Sequence, residues 1–218
     1  MAKWVEGRGY GGMEERAASE APLFYQGPQR FWMPPNTGTQ IIFTDDDPLR
    51  YYEHGMQVGK SYRHWATCTG DKNTCPLCLI GHDPYYVAAW TVLDRTEWKD
   101  KKGVARKDEK RLYVCKQKVM VKLAWRSEKL RSYVDEKTGA PVYPGGLRGM
   151  VFEVRRGDGK SPNTGDDFDL IGQADDSLLV GADGKKIEPF DYMTVLAPDM
   201  NLLNKYADLL KRRANSPL

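Results

Sequence analysis

The chain has 218 residues, of which 40% are hydrophobic, and its mean hydropathy of −0.64 is typical of a globular protein in water. It contains no apolar run near the roughly 18 residues that a membrane span needs, and no N-terminal stretch typical of a signal peptide. We therefore expect a protein that is not secreted and stays in a reducing cytoplasm. Disulfides are rare there, and clustered cysteines more often bind metal.

The net charge of +3 conceals two blocks of opposite sign. Residues 95–131 contain 14 Lys or Arg against 5 Asp or Glu, whereas residues 158–191 contain 9 acidic against 3 basic residues. A basic block of this density favours a polyanion partner, although two solvated faces of one domain would give the same counts. The charge pattern alone leaves both interpretations open.

Most of the chain divides into short strands and two helices. Residues 1–30 are rich in Gly and Pro with mixed charges, which predicts a flexible N-terminal arm. Runs of β-branched and aromatic residues predict strands over 39–44, 60–67, 85–94, 111–116, 149–156 and 167–172, with a long charged hairpin tip over 97–110. Apolar residues at helical spacing predict helices over 117–135 and 199–213, the second with Asp199 as its N-cap.

This order of elements predicts an α+β protein that is mainly β. Strands, one helix and two further strands come close to the order of an OB fold, a five-stranded Greek-key barrel that binds oligonucleotides on its face. One strand too many precedes the helix, so one of the four belongs to an insertion. We predict an OB domain over 31–198 with a metal-binding insertion at about 50–84, followed by a C-terminal helix and tail over 199–218.

Three of the four cysteines lie in the stretch CTGDKNTCPLC, residues 68–78. Two residues separate Cys75 from Cys78, so both sulfurs can turn toward one ion, and Cys68 can return to that ion across turn-forming residues. Zinc prefers thiolate and imidazole ligands in a closed tetrahedron, so three thiolates require one histidine. The pattern predicts one structural zinc ion, and reduced core cysteines are the alternative.

The chain has three histidines that could complete this site. His64 lies four residues before Cys68 in a predicted strand, which separates them by roughly 13 Å unless the chain bends. His82 could reach the ion in a turn after Cys78. His54 is far enough upstream to return from the far side of a strand hairpin. We favour His54 and keep His64 and His82 as alternatives.

No pattern in the sequence indicates catalysis, so we expect a protein that is not an enzyme. A zinc deaminase requires His-x-Glu ahead of Pro-Cys-x-x-Cys, whereas this chain has Glu53-His54, and Thr74 precedes Cys75. Three sulfurs and one histidine also leave no open metal position for water. Cys115 lies in an apolar strand, where we expect a small buried hydrophobic residue.

Aromatic and basic residues lie close together along several predicted strands, as on surfaces that stack on bases and hold phosphates. Arg63 and Trp65 share one face of their strand because side chains alternate. The predicted DNA-contacting residues are Arg63, Trp65, Trp98, Lys99, Lys101, Lys102, Arg106, Lys107, Arg111 and Tyr113. Each aromatic residue could instead lie in the core, because most Trp and Tyr side chains in strands do.

Three stretches carry a family resemblance: IIFTDDDPLRYYEHG, CPLCLIGHDPYYVAAWTVLDRTEWKDKKG and GLRGMVFEVRRGDGKSPNTGDDF. With the order His54, Cys68, Cys75 and Cys78, they resemble the zinc-containing single-stranded DNA-binding proteins of tailed bacteriophages along most of residues 31–172. The resemblance implies an OB fold with a zinc subdomain held by these four ligands. Its basic and aromatic strand residues would face the DNA.

The same resemblance implies a protein that coats and protects single-stranded DNA, largely without sequence preference, in phage replication, recombination and repair. It places the protein in the cytoplasm of the infected bacterial host. The partners would be single-stranded DNA, replication and recombination proteins such as a polymerase, helicase or recombinase, and further copies of the chain on DNA. The alternative is a zinc-ribbon-like regulator that binds duplex DNA or a polymerase.

Overall fold

The computed structural model describes residues 27–58, 62–99, 103, 105–181 and 184–214. Nearly all of the predicted arm over 1–30, Lys101, Lys102 and the end of the tail lie outside the described residues. Only the backbone is described for Val58, Tyr62, Arg63, Lys99, Arg106, Arg213 and Ala214.

The described chain is a mixed α/β protein with few helices. Its strands are β1 (Thr37–Phe43), β2 (Leu49–Val58), β3 (Tyr62–Thr67), β4 (Tyr85–Asp94), β5 (Trp98–Lys99), β6 (Ala105–Arg106), β7 (Glu109–Lys116), β8 (Met150–Arg156) and β9 (Asp167–Gln173). Its helices are α1 (Pro76–Leu79), α2 (Gln117–Arg131), α3 (Tyr192–Val195), α4 (Met200–Ala214) and a 3-10 turn (Asp176–Leu179). None of the helices in the described ranges is long and apolar enough to cross a membrane.

Seven strands, all those above except β5 and β6, belong to one open and mostly antiparallel sheet. The chain divides into two compact units. The described part of unit 1 lies within Tyr52–Pro84 and Pro198–Leu218, and unit 2 consists of Gly27–Tyr51 and Tyr85–Ala197.

Strand β4 pairs with two other strands of unit 2. It pairs antiparallel with β7 along its length and with β1 near its C-terminal end. The other edge of β1 pairs with β8, and β8 pairs with β9. Among the described strands no pairing joins β7 to β9, so these five strands do not close. The predicted OB barrel is therefore not confirmed.

Both faces are covered over the central parts of β4 and β7, which explains why β4 is mostly apolar. On one face Phe43 packs against Trp90 and Phe152 with ring centroids 6.2 and 5.7 Å apart, in the edge-to-face arrangement that aromatic pairs prefer. On the other face Val87 and Leu112 belong to a separate buried cluster. Side-chain alternation along these strands therefore separates two cores, not a core from a solvent face.

Helix α2 packs its apolar stripe on the main core of unit 2 through Val119, Met120, Leu123 and Leu130. The sequence predicts this helix to residue 135, but it ends at Arg131. Residues 133–142 fold back instead, with the Val142 amide donating to the Tyr133 carbonyl at 2.8 Å. The Asp135 carboxylate accepts from the Lys137 and Thr138 amides and so stabilises this turn over further helix.

Unit 1 is built on an antiparallel pairing of β2 and β3, in which Glu53 lies opposite Thr67. Strand β3 is predicted from the sequence, whereas β2 is not. Helix α4 packs Leu203, Tyr206 and Ala207 into the unit's buried cluster. The predicted N-cap is confirmed, because the Asp199 carboxylate accepts from the Asn201 and Leu202 amides at 2.9 and 3.1 Å.

Asp45 is a buried carboxyl group just after β1 in unit 2. Its Oδ1 accepts a hydrogen bond from the Thr91 amide at 3.0 Å, and its Oδ2 accepts one from the Tyr192 hydroxyl. Burial raises the pKa of Asp45 to about 6, because loss of water disfavours the carboxylate more than these two hydrogen bonds favour it.

We expect Asp45→Asn to change how the free energy of unfolding depends on pH. The folded-state pKa lies above the unfolded one, so the stabilisation by Asp45 is present at low pH and is lost as pH rises through about 6. At low pH this stabilisation contributes about 3 kcal/mol to the free energy of unfolding. Urea unfolding from about pH 4 to about pH 7 should show the variant gaining stability relative to wild type as pH rises. Asp47→Asn, at a 92% exposed side chain, is the control, and a pH-independent difference for Asp45→Asn would contradict the expectation.

Candidate metal centre

The hairpin of β2 and β3 brings the first two metal-ligating residues together. His54 on β2 lies opposite Ala66 on β3, and Cys68 follows two residues later. The Cys68 amide donates to the Tyr52 carbonyl at 2.8 Å, which continues the antiparallel pairing past the end of β3. A histidine fourteen positions upstream in sequence is therefore adjacent to Cys68 in space.

A tight loop returns the chain from Cys68 to Cys75. Gly70 has φ of 83°, a left-handed conformation that favours glycine, and the Asp71 carbonyl accepts from the Cys75 amide at 3.0 Å. Helix α1 begins directly after Cys75 with Pro76 at its first position, where a missing amide hydrogen costs nothing. This single turn places Cys78 on the same side as Cys75.

His54, Cys68, Cys75 and Cys78 each present one ligand atom, and these four atoms lie within 4.8 Å of one another. His54 Nε2 is 3.3 Å from Cys75 Sγ and 3.7 Å from Cys78 Sγ. Cys68 Sγ is 3.7 Å from Cys78 Sγ. Three sulfurs and one imidazole nitrogen thus surround one point at spacings suited to a single metal ion.

Burial controls the protonation of these groups. The pKa of His54 is lowered to about 4, mainly because burial disfavours the imidazolium and also because His82 is close. Burial, with hydrogen bonds that the Cys78 thiol donates to Cys68 and Cys75, raises the pKa of Cys78 to about 12. The imidazole is therefore neutral, as a ligand must be, and a metal ion must displace thiol protons to bind.

The two other histidines lie outside the four-ligand group, and each has a different partner. His82 Nδ1 is 3.1 Å from His54 Nδ1, the ring nitrogen that faces away from the sulfurs. A hydrogen bond there would hold the His54 ring with Nε2 toward the ion. His64 Nδ1 is 2.9 Å from the Tyr206 hydroxyl on α4. Of the three alternatives in the sequence, the structure brings only His54 to the cysteines.

The cysteines of the centre are part of the small core of unit 1. Cys68 and Cys75 are buried with Met56, Ala66 and Leu77. The same cluster includes the buried face of α4. The metal centre and the C-terminal helix therefore depend on one shared set of packing contacts.

Cys115 does not take part in this centre. It is 4% exposed in the main core of unit 2, and burial raises the pKa of its thiol to about 12. The expectation that it is a small buried hydrophobic residue is confirmed.

Two of the predicted DNA-contacting aromatics retain some exposure. Trp98 on β5 is 38% exposed, and the guanidinium of Arg111 lies 5.9 Å from its ring centroid. Arg111 also pairs with Glu109 at 2.7 Å and keeps 13% of its side chain exposed. Trp65 on β3 is half-buried.

The predicted basic residues of the 97–110 hairpin are described only in part. Lys107 is 43% exposed and pairs with Glu97 at 2.7 Å. Lys99 and Arg106 lie on the two short strands β5 and β6, which pair antiparallel, but their side chains are not described. Lys101 and Lys102 lie outside the described residues, and for Arg63 only the backbone of β3 is given.

Tyr113 requires a correction. It is 0% exposed and packs against Phe31 and Trp90 in the main core, so its ring cannot stack on a base. The prediction assumed that a strand in this region has one solvent face. Because β7 is covered on both faces, Tyr113 and its neighbour Leu112 are both buried.

Two features of the structure are absent from the sequence-based predictions: Trp125, which is 58% exposed on α2, and the contact of His82 with His54. The sequence does carry a signal for the exposure of Trp125, because it lies one helical turn before Lys129 and away from the apolar stripe of Leu123 and Leu130. No sequence signal indicates the second.

Comparison of the chain with family models, with curated proteins and with solved structures finds no match.

Proposed function

We propose that this chain is a non-enzymatic single-stranded DNA-binding protein whose unit 1 is stabilised by one structural zinc ion. The observation that carries the proposal is the exposed Trp98 ring beside the Arg111 guanidinium, within a segment of 14 basic and 5 acidic residues. A cationic surface with an exposed aromatic ring is what sequence-tolerant binding of single strands requires.

The donor set favours zinc over other metal ions. Thiolate and imidazole ligands together suit zinc, whereas magnesium and calcium take oxygen ligands. Sulfurs about 2.3 Å from a tetrahedral zinc ion lie about 3.8 Å apart, and Cys68 and Cys78 are separated by 3.7 Å. Four protein ligands would complete the coordination shell, which favours a structural role.

The ion pairs of the basic hairpin are compatible with phosphate binding. Lys107 and Glu97 are both largely exposed, so their pairing is weak and a phosphate can replace the carboxylate. The Arg111 guanidinium lies 5.9 Å from the Trp98 ring centroid and pairs with Glu109, an arrangement that would present ring and charge together. A base stacked on Trp98 would then lie beside a bound phosphate.

We also propose that unit 2 is an open variant of the OB fold. Its strands β1, β4, β7, β8 and β9 follow the OB chain order, with helix α2 between the third and the fourth. The pairings of β1 with β4 and β8, of β4 with β7, and of β8 with β9 fit that topology. By the family resemblance, the protein would coat single strands during phage replication, recombination and repair in the host cytoplasm.

Binding of labelled oligo-dT, followed by fluorescence anisotropy, tests the proposed function. We expect tight binding whose affinity falls steeply with salt, with a log–log slope of about −0.7 for each phosphate contacted. Trp98→Ala should weaken binding by about 10-fold, because a stacked base contributes about 1–3 kcal/mol. Trp32→Ala is the control, because Trp32 lies outside the basic segment and is 56% exposed, more than Trp98.

A matched duplex serves as competitor in the same titration. Salt-independent binding, or equal losses for Trp98→Ala and Trp32→Ala, would contradict the proposed surface. Displacement of the single strand by an equimolar duplex would instead favour a regulator that binds duplex DNA.

A further inference from the structure

A hollow of about 200 Å³ opens on unit 2 between the C-terminal half of α2 and strands β8 and β9. Leu130 and Phe152, which line it, are buried core residues. The other apolar side chains around it, Trp125, Tyr133 and Leu170, are 41–58% exposed. Large apolar side chains gathered around a hollow on the surface mark a site where a partner binds.

The exposed surface continues along α2. Val121 lies one helical turn before Trp125 and is 59% exposed, so it shares the same helix face. Helix α2 already buries Leu123 and Leu130 in the core, so these exposed residues are not needed for folding. Covering them on binding would remove apolar surface from water at about 25 cal/mol for each Å².

The charge around the hollow is positive. Arg126 and Lys129 line it, and none of its described lining residues is acidic. The Lys129 ammonium lies 5.1 Å from the Trp125 ring centroid, which holds one positive charge at the edge of the hollow. Neither basic side chain is ion-paired within the part of the chain that the structure describes.

We propose that this hollow binds a segment of a partner protein that carries one large apolar side chain flanked by acidic residues. The cavity has room for a single side chain, which would contact Trp125, Leu130 and Leu170. Carboxylates on either side would pair with Arg126 and Lys129. This site goes beyond the proposed DNA surface, since it would recruit a protein to the chain.

The lining favours a peptide over a nucleic acid base. Leu130 and Leu170 offer no hydrogen-bonding group to the polar edge of a base. An apolar side chain needs none, and aromatic anchors in such pockets contribute most of the binding energy at protein interfaces.

A fluorescein-labelled peptide with one Phe flanked by Asp and Glu on both sides tests the proposal by anisotropy with the full chain. We expect binding to wild type, at least about 10-fold weaker binding to Trp125→Ala, and loss of binding to Arg126→Glu/Lys129→Glu. The charge-matched control Lys160→Glu/Lys205→Glu, at exposed lysines outside the hollow, should bind as wild type does. A peptide with Ser in place of Phe should not bind.

Two further measurements distinguish a partner protein from other occupants of the hollow. Labelled oligo-dT should bind Trp125→Ala as tightly as wild type. If neither protein binds oligo-dT, the proposed DNA-binding function is wrong, but the peptide titration still tests the hollow. The proposal is overturned if wild type does not bind the Phe peptide, if all variants bind it equally, or if Trp125→Ala loses oligo-dT but keeps the peptide. Self-association of wild type that Trp125→Ala abolishes in sedimentation would overturn it in favour of a second copy.

Discussion

Removal of the metal ion should unfold unit 1 and leave unit 2 folded. The core of unit 1 is small, and two of its buried members, Cys68 and Cys75, belong to the candidate metal centre. Structural zinc contributes an apparent 10–16 kcal/mol, about as much as the whole stability of a domain. Without the ion, the His54 imidazole and three protonated thiols would lie close together without the metal–ligand bonds that would hold them there. Unit 2 has its own aromatic core and none of the ligands.

Hydrogen exchange before and after chelation would measure this effect. We expect amides of residues 62–84 and of α4 to lose protection, while those of β4 and β7 keep it. Cys75→Ser should have the same effect without chelator. Cys115→Ala is the matched control, because this cysteine is buried in unit 2 away from the centre. Unchanged protection in residues 62–84 after loss of the ion would contradict a structural role.

Asp46→Ala should lower the free energy of unfolding of unit 2 by about 2–4 kcal/mol, the cost of leaving buried hydrogen-bond donors unpaired. The Asp46 Oδ1 accepts from the Ser127 hydroxyl and from the Leu147 amide, both at 2.6 Å, and its Oδ2 accepts from Arg131. These contacts fix helix α2 and the chain before β8 to the end of β1. The loss would therefore affect three segments together.

Urea unfolding of three variants separates the contributions at this position. Asp46→Asn keeps one acceptor oxygen and should lose less than Asp46→Ala. Asp47→Ala, at a 92% exposed neighbour, is the control and should have little effect. Gly146→Ala should also destabilise, because its φ is 59° and a Cβ there would lie 2.4 Å from Asp46 Oδ1. Equal stability of Asp46→Ala and Asp47→Ala would show that the network contributes little.

The cluster of candidate metal ligands could be predicted from sequence because their spacing limits the geometry. A two-residue spacer between Cys75 and Cys78 leaves few ways for both sulfurs to face one ion, and His64 is too far along its strand from Cys68. The choice of His54 over His82 could not be derived from spacing alone. It depends on β2, whose polar residues and glycine obscure the alternating apolar pattern of a strand, so the sequence does not show that His54 lies opposite Ala66.

The strands and the helix of unit 2 were predictable because β-branched runs and helical periodicity are local signals. Strand β4 has the predicted bounds, and β8 and β9 differ from theirs by one residue. The burial of Tyr113 was not predictable, because it depends on a second layer that covers β7 from distant parts of the chain. Closure of a barrel is equally non-local, since it depends on whether the last strand meets the third.

The most direct test of the proposed metal centre is the metal content and coordination of the purified protein. Elemental analysis with X-ray absorption spectroscopy should find one zinc ion per chain with three sulfur ligands at about 2.3 Å and one nitrogen at about 2.0 Å. His54→Ala should lose the nitrogen, and His82→Ala should retain all four ligands. Protein without bound metal, or a metal ion with fewer than three sulfur ligands, would contradict the centre formed by His54, Cys68, Cys75 and Cys78.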